Sequence, residues 1–125
     1  GRPRRCGWFD AVVARYAAAV NGIDYWAVTK LDVLDECETL RVCVAYEYEG
    51  VRYETVPADA AVLAACRPVY EEFPGWRTST SHIRRYEDLP PNARTYVESL
   101  CRLTGVPLGL LSVGPDRAST FRLAI

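Results

Sequence analysis

Apolar positions change period several times along this chain, and the changes mark out its elements. Phe9, Val12, Val13, Tyr16, Ala17 and Val20 recur at helical spacing, which predicts an amphipathic helix over residues 9–21. Asp10 sits in its first turn, where the helix dipole favours a negative charge, and Asn21-Gly22 supplies a stop. Residues 25–29 form a short apolar run, read as a buried strand that delivers Lys30 and Asp32 into a loop. Strand ends of this kind are where α/β proteins place ligand contacts.

From Leu40 the period drops to two. Leu40, Val42, Val44, Tyr46 and Tyr48 face one way, and Arg41, Cys43, Ala45 and Glu47 the other. Glu49-Gly50 turns the chain, and Val51, Tyr53 and Thr55 return along a partner strand. The pattern predicts a β-hairpin with one solvated face. Residues 59–65 read as a short alanine-rich helix, 69–73 as a strand ended by Pro74-Gly75, and 77–85 as a polar surface loop. Pro90-Pro91 opens a helix with Ala93, Tyr96, Val97, Leu100 and Cys101 on one face, closed by Gly105. Residues 106–113 read as a last buried strand before Gly114-Pro115. The sum is one α/β unit over residues 1–125, a mixed sheet with a β-hairpin and flanking helices.

Composition narrows the partners. The chain has 125 residues, half of them hydrophobic, and a net charge of −1, ordinary for one globular domain. Near-neutral charge argues against nucleic acid as the main partner. No apolar run approaches the roughly 18 residues needed to span a bilayer, so no membrane partner is expected. Five cysteines without a Cys-x-x-Cys pair suggest reduced core thiols in a cytoplasmic protein rather than a zinc or disulfide framework. There is no methionine, which makes a fragment the natural expectation.

Three segments carry candidate chemistry. In Thr29-Lys30-Leu31-Asp32, the Asp32 carboxylate could accept both neighbouring donors of a guanine edge, a charge-assisted bidentate contact that adenine cannot match. The Lys30 stem could lie along the base with its ammonium in water. The plainer alternative is a surface salt bridge or solvated loop. Arg2, Arg4 and Arg5 surround a stiffening proline and suit phosphate or carboxylate oxygens, although a frayed basic terminus would look the same. Ser112-Val113-Gly114-Pro115 lies where a strand becomes a loop. Glycine there permits positive φ, and backbone N–H groups can point at a carbonyl such as guanine O6; a simple tight turn is the alternative. Asp35 fits a capping role. His82 has no evident acid or base partner and reads as a surface residue. The tyrosines and Trp26 read as core, with Trp8 and Trp76 unassigned. No Gly-x-x-x-x-Gly-Lys-Ser/Thr loop and no magnesium site is recognisable, so a phosphoryl-transfer centre is incomplete here.

Together, Gly1-Arg2-Pro3-Arg4-Arg5-Cys6-Gly7-Trp8, Thr29-Lys30-Leu31-Asp32-Val33-Leu34, Pro74-Gly75-Trp76, Leu103-Thr104-Gly105-Val106-Pro107 and Gly114-Pro115-Asp116-Arg117 resemble the C-terminal part of the adenylosuccinate synthetases. The pieces stand in the family's order and cover essentially the whole chain. The resemblance implies a fragment of a P-loop-like, GTP-dependent ligase fold. It implies GTP phosphorylating the 6-oxygen of IMP, followed by displacement of that phosphate by the amino group of L-aspartate. It matches Arg2 to an IMP contact and Arg4 to a residue between aspartate and GTP. Lys30, Leu31 and Asp32 match the guanine-binding segment, and Ser112, Val113 and Gly114 the second wall around the base. Catalytic residues, phosphate loop and Mg2+ ligands are expected in the family's larger N-terminal part, with a homodimer in the full-length enzymes. A free-standing guanine-nucleotide module and a structural or assembly domain without catalysis are the competing expectations.

Overall fold

In the computed structural model, which describes residues 6–123, the order is β1 (Phe9–Asp10), α1 (Ala11–Asn21), β2 (Trp26–Val28), β3 (Thr39–Tyr48), β4 (Val51–Tyr53), α2 (Ala60–Ala65), β5 (Arg67–Pro74), α3 (Pro91–Thr104), β6 (Leu108–Ser112) and β7 (Thr120–Arg122). Short 3-10 turns lie at Leu31–Leu34, Tyr86–Asp88 and Arg117–Ser119. Two sheets result. In the first, β5 runs antiparallel along one edge of β3, while β1 (parallel) and β4 (antiparallel) share the other. In the second, β2 pairs parallel with β6, and β7 pairs antiparallel on the far side of β6. The architecture is the mixed α/β arrangement expected.

One core joins these layers. Leu31, Leu40, Val42, Leu111 and Val113 are at most 1% exposed and pack with Ala93, Tyr96, Val97 and Leu100 of α3. Full burial of each such aliphatic side chain contributes about 1.5–3 kcal/mol. Local signals set the helix ends. Pro91 occupies the first turn of α3, and Gly105 closes it at φ +74, a conformation that costs glycine little. The indole N–H of Trp26 donates to Thr104 Oγ1 at 2.7 Å, tying β2 to the end of α3.

Several expectations need correction. Phe9 and Asp10 are not helical. They form β1, and Asp10 is the N-cap of α1, accepting from the Val12 and Val13 N–H groups. The predicted apolar stripe of α1 is split: Val12 is buried, together with Ala11 and Ala18, while Val13, Tyr16 and Val20 are 47%, 56% and 64% exposed. Tyr25 and Tyr70 are exposed too, so the tyrosines are not uniformly core. The alternation of β3 breaks at Val44. Cys43 faces Tyr70 and Ala45 faces Val69, leaving Val44 as the extra residue of a bulge. Leu40 and Val42 enter the main core. Beyond the bulge Tyr46 joins Val12 and Cys43 in a second cluster, so the face expected to be solvated is covered by α1. Strand β7, with polar Thr120 and Arg122, was not foreseen. Among the described residues no helix is long and apolar enough to cross a membrane.

Candidate functional site

Adjacent parallel strands end on the same side of a sheet. The pairing of Val28 with Leu111 therefore brings out together the segments that follow β2 and β6. These are the two predicted walls: Lys30, Leu31 and Asp32 on one side, Ser112, Val113 and Gly114 on the other. Such strand ends are the usual place for ligand contacts in α/β sheets.

The first wall is a 3-10 turn rather than an open loop. Lys30 enters it at φ +61, a left-handed conformation costing a non-glycine residue on the order of 1–2 kcal/mol. Leu31 is 1% exposed and anchors the turn in the core, so any ligand contact it makes falls to its backbone. Asp32 is half-buried in the first turn. Neither Lys30 nor Asp32 makes a hydrogen bond or ion pair through its side chain with another described residue, and the surface salt bridge of the plainer alternative is not formed. A fixed backbone presents a carboxylate that no other described residue engages.

The second wall differs from its expectation. Gly114 does not adopt positive φ. Glycine is needed instead because a Cβ there would lie 2.9 Å from Ser119 Oγ. The Val113 N–H donates to the Ser119 carbonyl at 3.0 Å, so that donor is committed. Ser112 Oγ donates to the Gly114 carbonyl at 2.9 Å, closing the turn on itself. Val113 is fully buried.

Asp35, expected to cap, instead ties distant segments together. Its carboxylate accepts from the Trp76 indole N–H at 2.7 Å, from Thr80 Oγ1 at 2.7 Å and from the Thr80 N–H at 2.8 Å. Trp76, left unassigned by the sequence, is 8% exposed and packs on Tyr96 with ring centroids 6.0 Å apart. Burial, with the Cys37 thiol beside it, pushes the Tyr96 phenol up to about 12. A cleft of about 760 Å³ opens between the two segments, lined by Asp32, Asp35, Arg77, Thr78 and Ser79 among others. A second, apolar groove of about 440 Å³ runs from Trp8 and Trp26 past Lys30 to Leu34 and Leu100. Ser112, Val113 and Gly114 line neither.

Arg2 and Arg4, the expected anion contacts, lie outside the described residues. His82 is exposed. Cys37, Cys43, Cys66 and Cys101 are free thiols. The described residues contain no group of three His, Cys, Asp or Glu side chains placed to hold a metal ion.

Comparison with known proteins gives these features a context. The sequence model of the adenylosuccinate synthetase family matches residues 1–121. The adenylosuccinate synthetase of Desulforudis audaxviator is 55% identical over 124 residues, 99% of this chain and 29% of that protein. That of Brevibacillus brevis is 55% identical over 120 residues, 96% of this chain and 28% of that protein. A solved structure of fully ligated adenylosuccinate synthetase from Plasmodium falciparum matches with a TM-score of 0.91 at 32% identity, covering 98% of this chain and 30% of that one. The chain thus spans less than a third of the length of the curated relatives it matches.

Proposed function

Because the chain belongs to the adenylosuccinate synthetase family, we propose that it forms the base-reading and substrate-binding portion of a ligase. That ligase joins IMP and L-aspartate at the expense of GTP, in the AMP branch of purine nucleotide biosynthesis. One observation carries the reading: the Asp32 carboxylate, which has no side-chain partner among the described residues, stands on a fixed turn at the end of a parallel strand pair. An ionised aspartate only accepts hydrogen bonds, and guanine offers two adjacent donors. Lys30 covers the base with its stem, and the backbone of Leu31 and of Ser112, Val113 and Gly114 closes around it. Arg2 binds IMP, and Arg4 sits between aspartate and GTP. In this reading phosphoryl transfer to the 6-oxygen of IMP creates a leaving group. The aspartate amine then attacks C6, and phosphate departs.

The chain's own residues position and bind; the phosphate loop and general acid and base belong to the rest of the ligase. Mg2+ stabilises charge on a transferring phosphate when bound, but the described residues do not fit it, and no step here runs through it. The principal partner is the remaining, larger part of a family-length enzyme, within a cytoplasmic homodimer. Two features support that partner. The exposed Val13, Tyr16 and Val20 stripe on α1 is an apolar surface of the kind that marks an interaction face. Among the described residues strand β2 pairs only with β6, and its other edge is left for a further segment to cover.

The test is reconstitution. The chain alone, given IMP, GTP, aspartate and magnesium, is expected to form no adenylosuccinate. Addition of the separately produced N-terminal part of the Desulforudis audaxviator enzyme is expected to restore turnover. In the restored enzyme Asp32→Asn raises the KM for GTP by roughly 10–1000-fold, a mispaired buried group costing on the order of 1.4–4 kcal/mol, and shifts preference toward XTP. Turnover by the chain alone, or an unaltered GTP preference in Asp32→Asn, overturns the reading.

A further inference from the structure

We propose that Asp35 is a positioning residue for base recognition. It clamps the turn carrying Asp32 to loop 75–80, and guanine selectivity depends on the clamp. The inference rests on the reading of Asp32 given above. Asp32 itself has no side-chain partner among the described residues, so its orientation is inherited from the turn. That turn is held at both ends. Leu31 is sunk in the core. At the other end the Asp35 N–H donates to the Asp32 carbonyl at 3.1 Å, and the Asp35 carboxylate takes its three bonds from Trp76 and Thr80.

Loop 75–80 is a rigid anchor, which is what a clamp requires. The Gly75 N–H donates to the Glu38 carbonyl at 2.8 Å, and Asn92 Nδ2 of α3 donates to the Gly75 carbonyl at 3.0 Å. Thr80 is fully buried. Arg77 is held at φ +49 with its guanidinium 3.2 Å from Glu38 Oε1. The same loop forms the far wall of the cleft that Asp32 lines. A bidentate contact needs both carboxylate oxygens aligned with both base donors, a tolerance of roughly 10–20°. Loosening the far end of the turn therefore weakens guanine more than a base that never used the pair.

The test uses the 125-residue chain, labelled with 15N and titrated with GMP and with AMP, the amides of residues 30–34 serving as reporters. Thr80→Val removes only the hydroxyl bond, Trp76→Phe only the indole bond, and Thr80→Ser keeps the hydroxyl; thermal unfolding verifies that each variant is folded. The wild type is expected to prefer GMP. Thr80→Val and Trp76→Phe are each expected to lower the GMP-to-AMP affinity ratio by about threefold or more, and Thr80→Ser to keep it. An unchanged ratio in both clamp variants, with the ratio lost in Asp32→Asn, overturns the clamp and leaves the reading of Asp32 standing. An unchanged ratio in Asp32→Asn, or a wild type with no GMP preference, overturns both.

Discussion

A methyl group at position 75 would lie 1.8 Å from the Cys37 carbonyl oxygen, a contact that backbone cannot relieve by rotation. Gly75→Ala is therefore expected to destabilise the chain by about 3–4 kcal/mol. Gly22→Ala, at φ +62 with open space around it, should cost only about 1 kcal/mol. Urea denaturation of the two variants checks the difference, and equal losses would show that loop 75–80 can move away from Cys37. Residues of this kind were half legible in the sequence. The turn at Asp32 could be read as a strand-end loop because its signal is local to a four-residue run. The role of Asp35 could not be read, since its partners lie 41 and 45 positions away. Gly114 was singled out for a positive φ it does not have; close approach to Ser119 is a tertiary fact with no local trace.

At the scale of elements, Asp10 links β1, α1 and β3. One carboxylate oxygen caps α1, and the other accepts from the Tyr46 hydroxyl at 2.5 Å. Removing the carboxylate loses the cap, about 1 kcal/mol, and leaves a buried hydroxyl unsatisfied, about 1–3 kcal/mol. Asp10→Ala and Tyr46→Phe should thus be coupled by about 1 kcal/mol or more in a double-mutant cycle; strict additivity would mean that the two groups act independently. The element types were largely legible from period and turn chemistry, as with Pro91 and Gly105 around α3. What periodicity could not supply was the direction of burial. Of the stripe on α1, Val12 turns inward while Val13, Tyr16 and Val20 turn outward. Beyond the bulge at Val44, Tyr46 turns from the main core to the second cluster, and nothing in an alternating run announces an extra residue.

For the molecule as a whole, alkaline pH is the sensitive direction. Burial first, then the Asp10 carboxylate for Tyr46 and Glu98 for Tyr86, holds these phenols well above the usual tyrosine range, and Tyr96 is raised to about 12. The Cys43 and Cys101 thiols are raised as well, chiefly by burial. Each group stays protonated longer in the folded state than in the unfolded one. The stability they contribute is complete below the unfolded values, 9.0 for the thiols and 10.0 for the phenols, and is lost as pH rises through the folded ones. The urea midpoint should fall as pH climbs from about 9 toward 12, less steeply in Tyr96→Phe; a midpoint flat across that window would contradict these shifts. The sequence conveyed the mixed α/β class, but not which strands would be neighbours, because β2 and β6 pair across a long separation in sequence with no local turn to announce it. That pairing has a consequence in time. Trp26 waits for Leu108, roughly eighty positions later, whereas the β3–β4 hairpin closes locally, and distant pairings are the slow ones. On a ribosome adding about 5–20 residues per second, Asp32 is synthesised on the order of 4–16 s before its neighbouring strand arrives. Until then the turn that carries Asp32 stands without the strand whose end finally lies beside it.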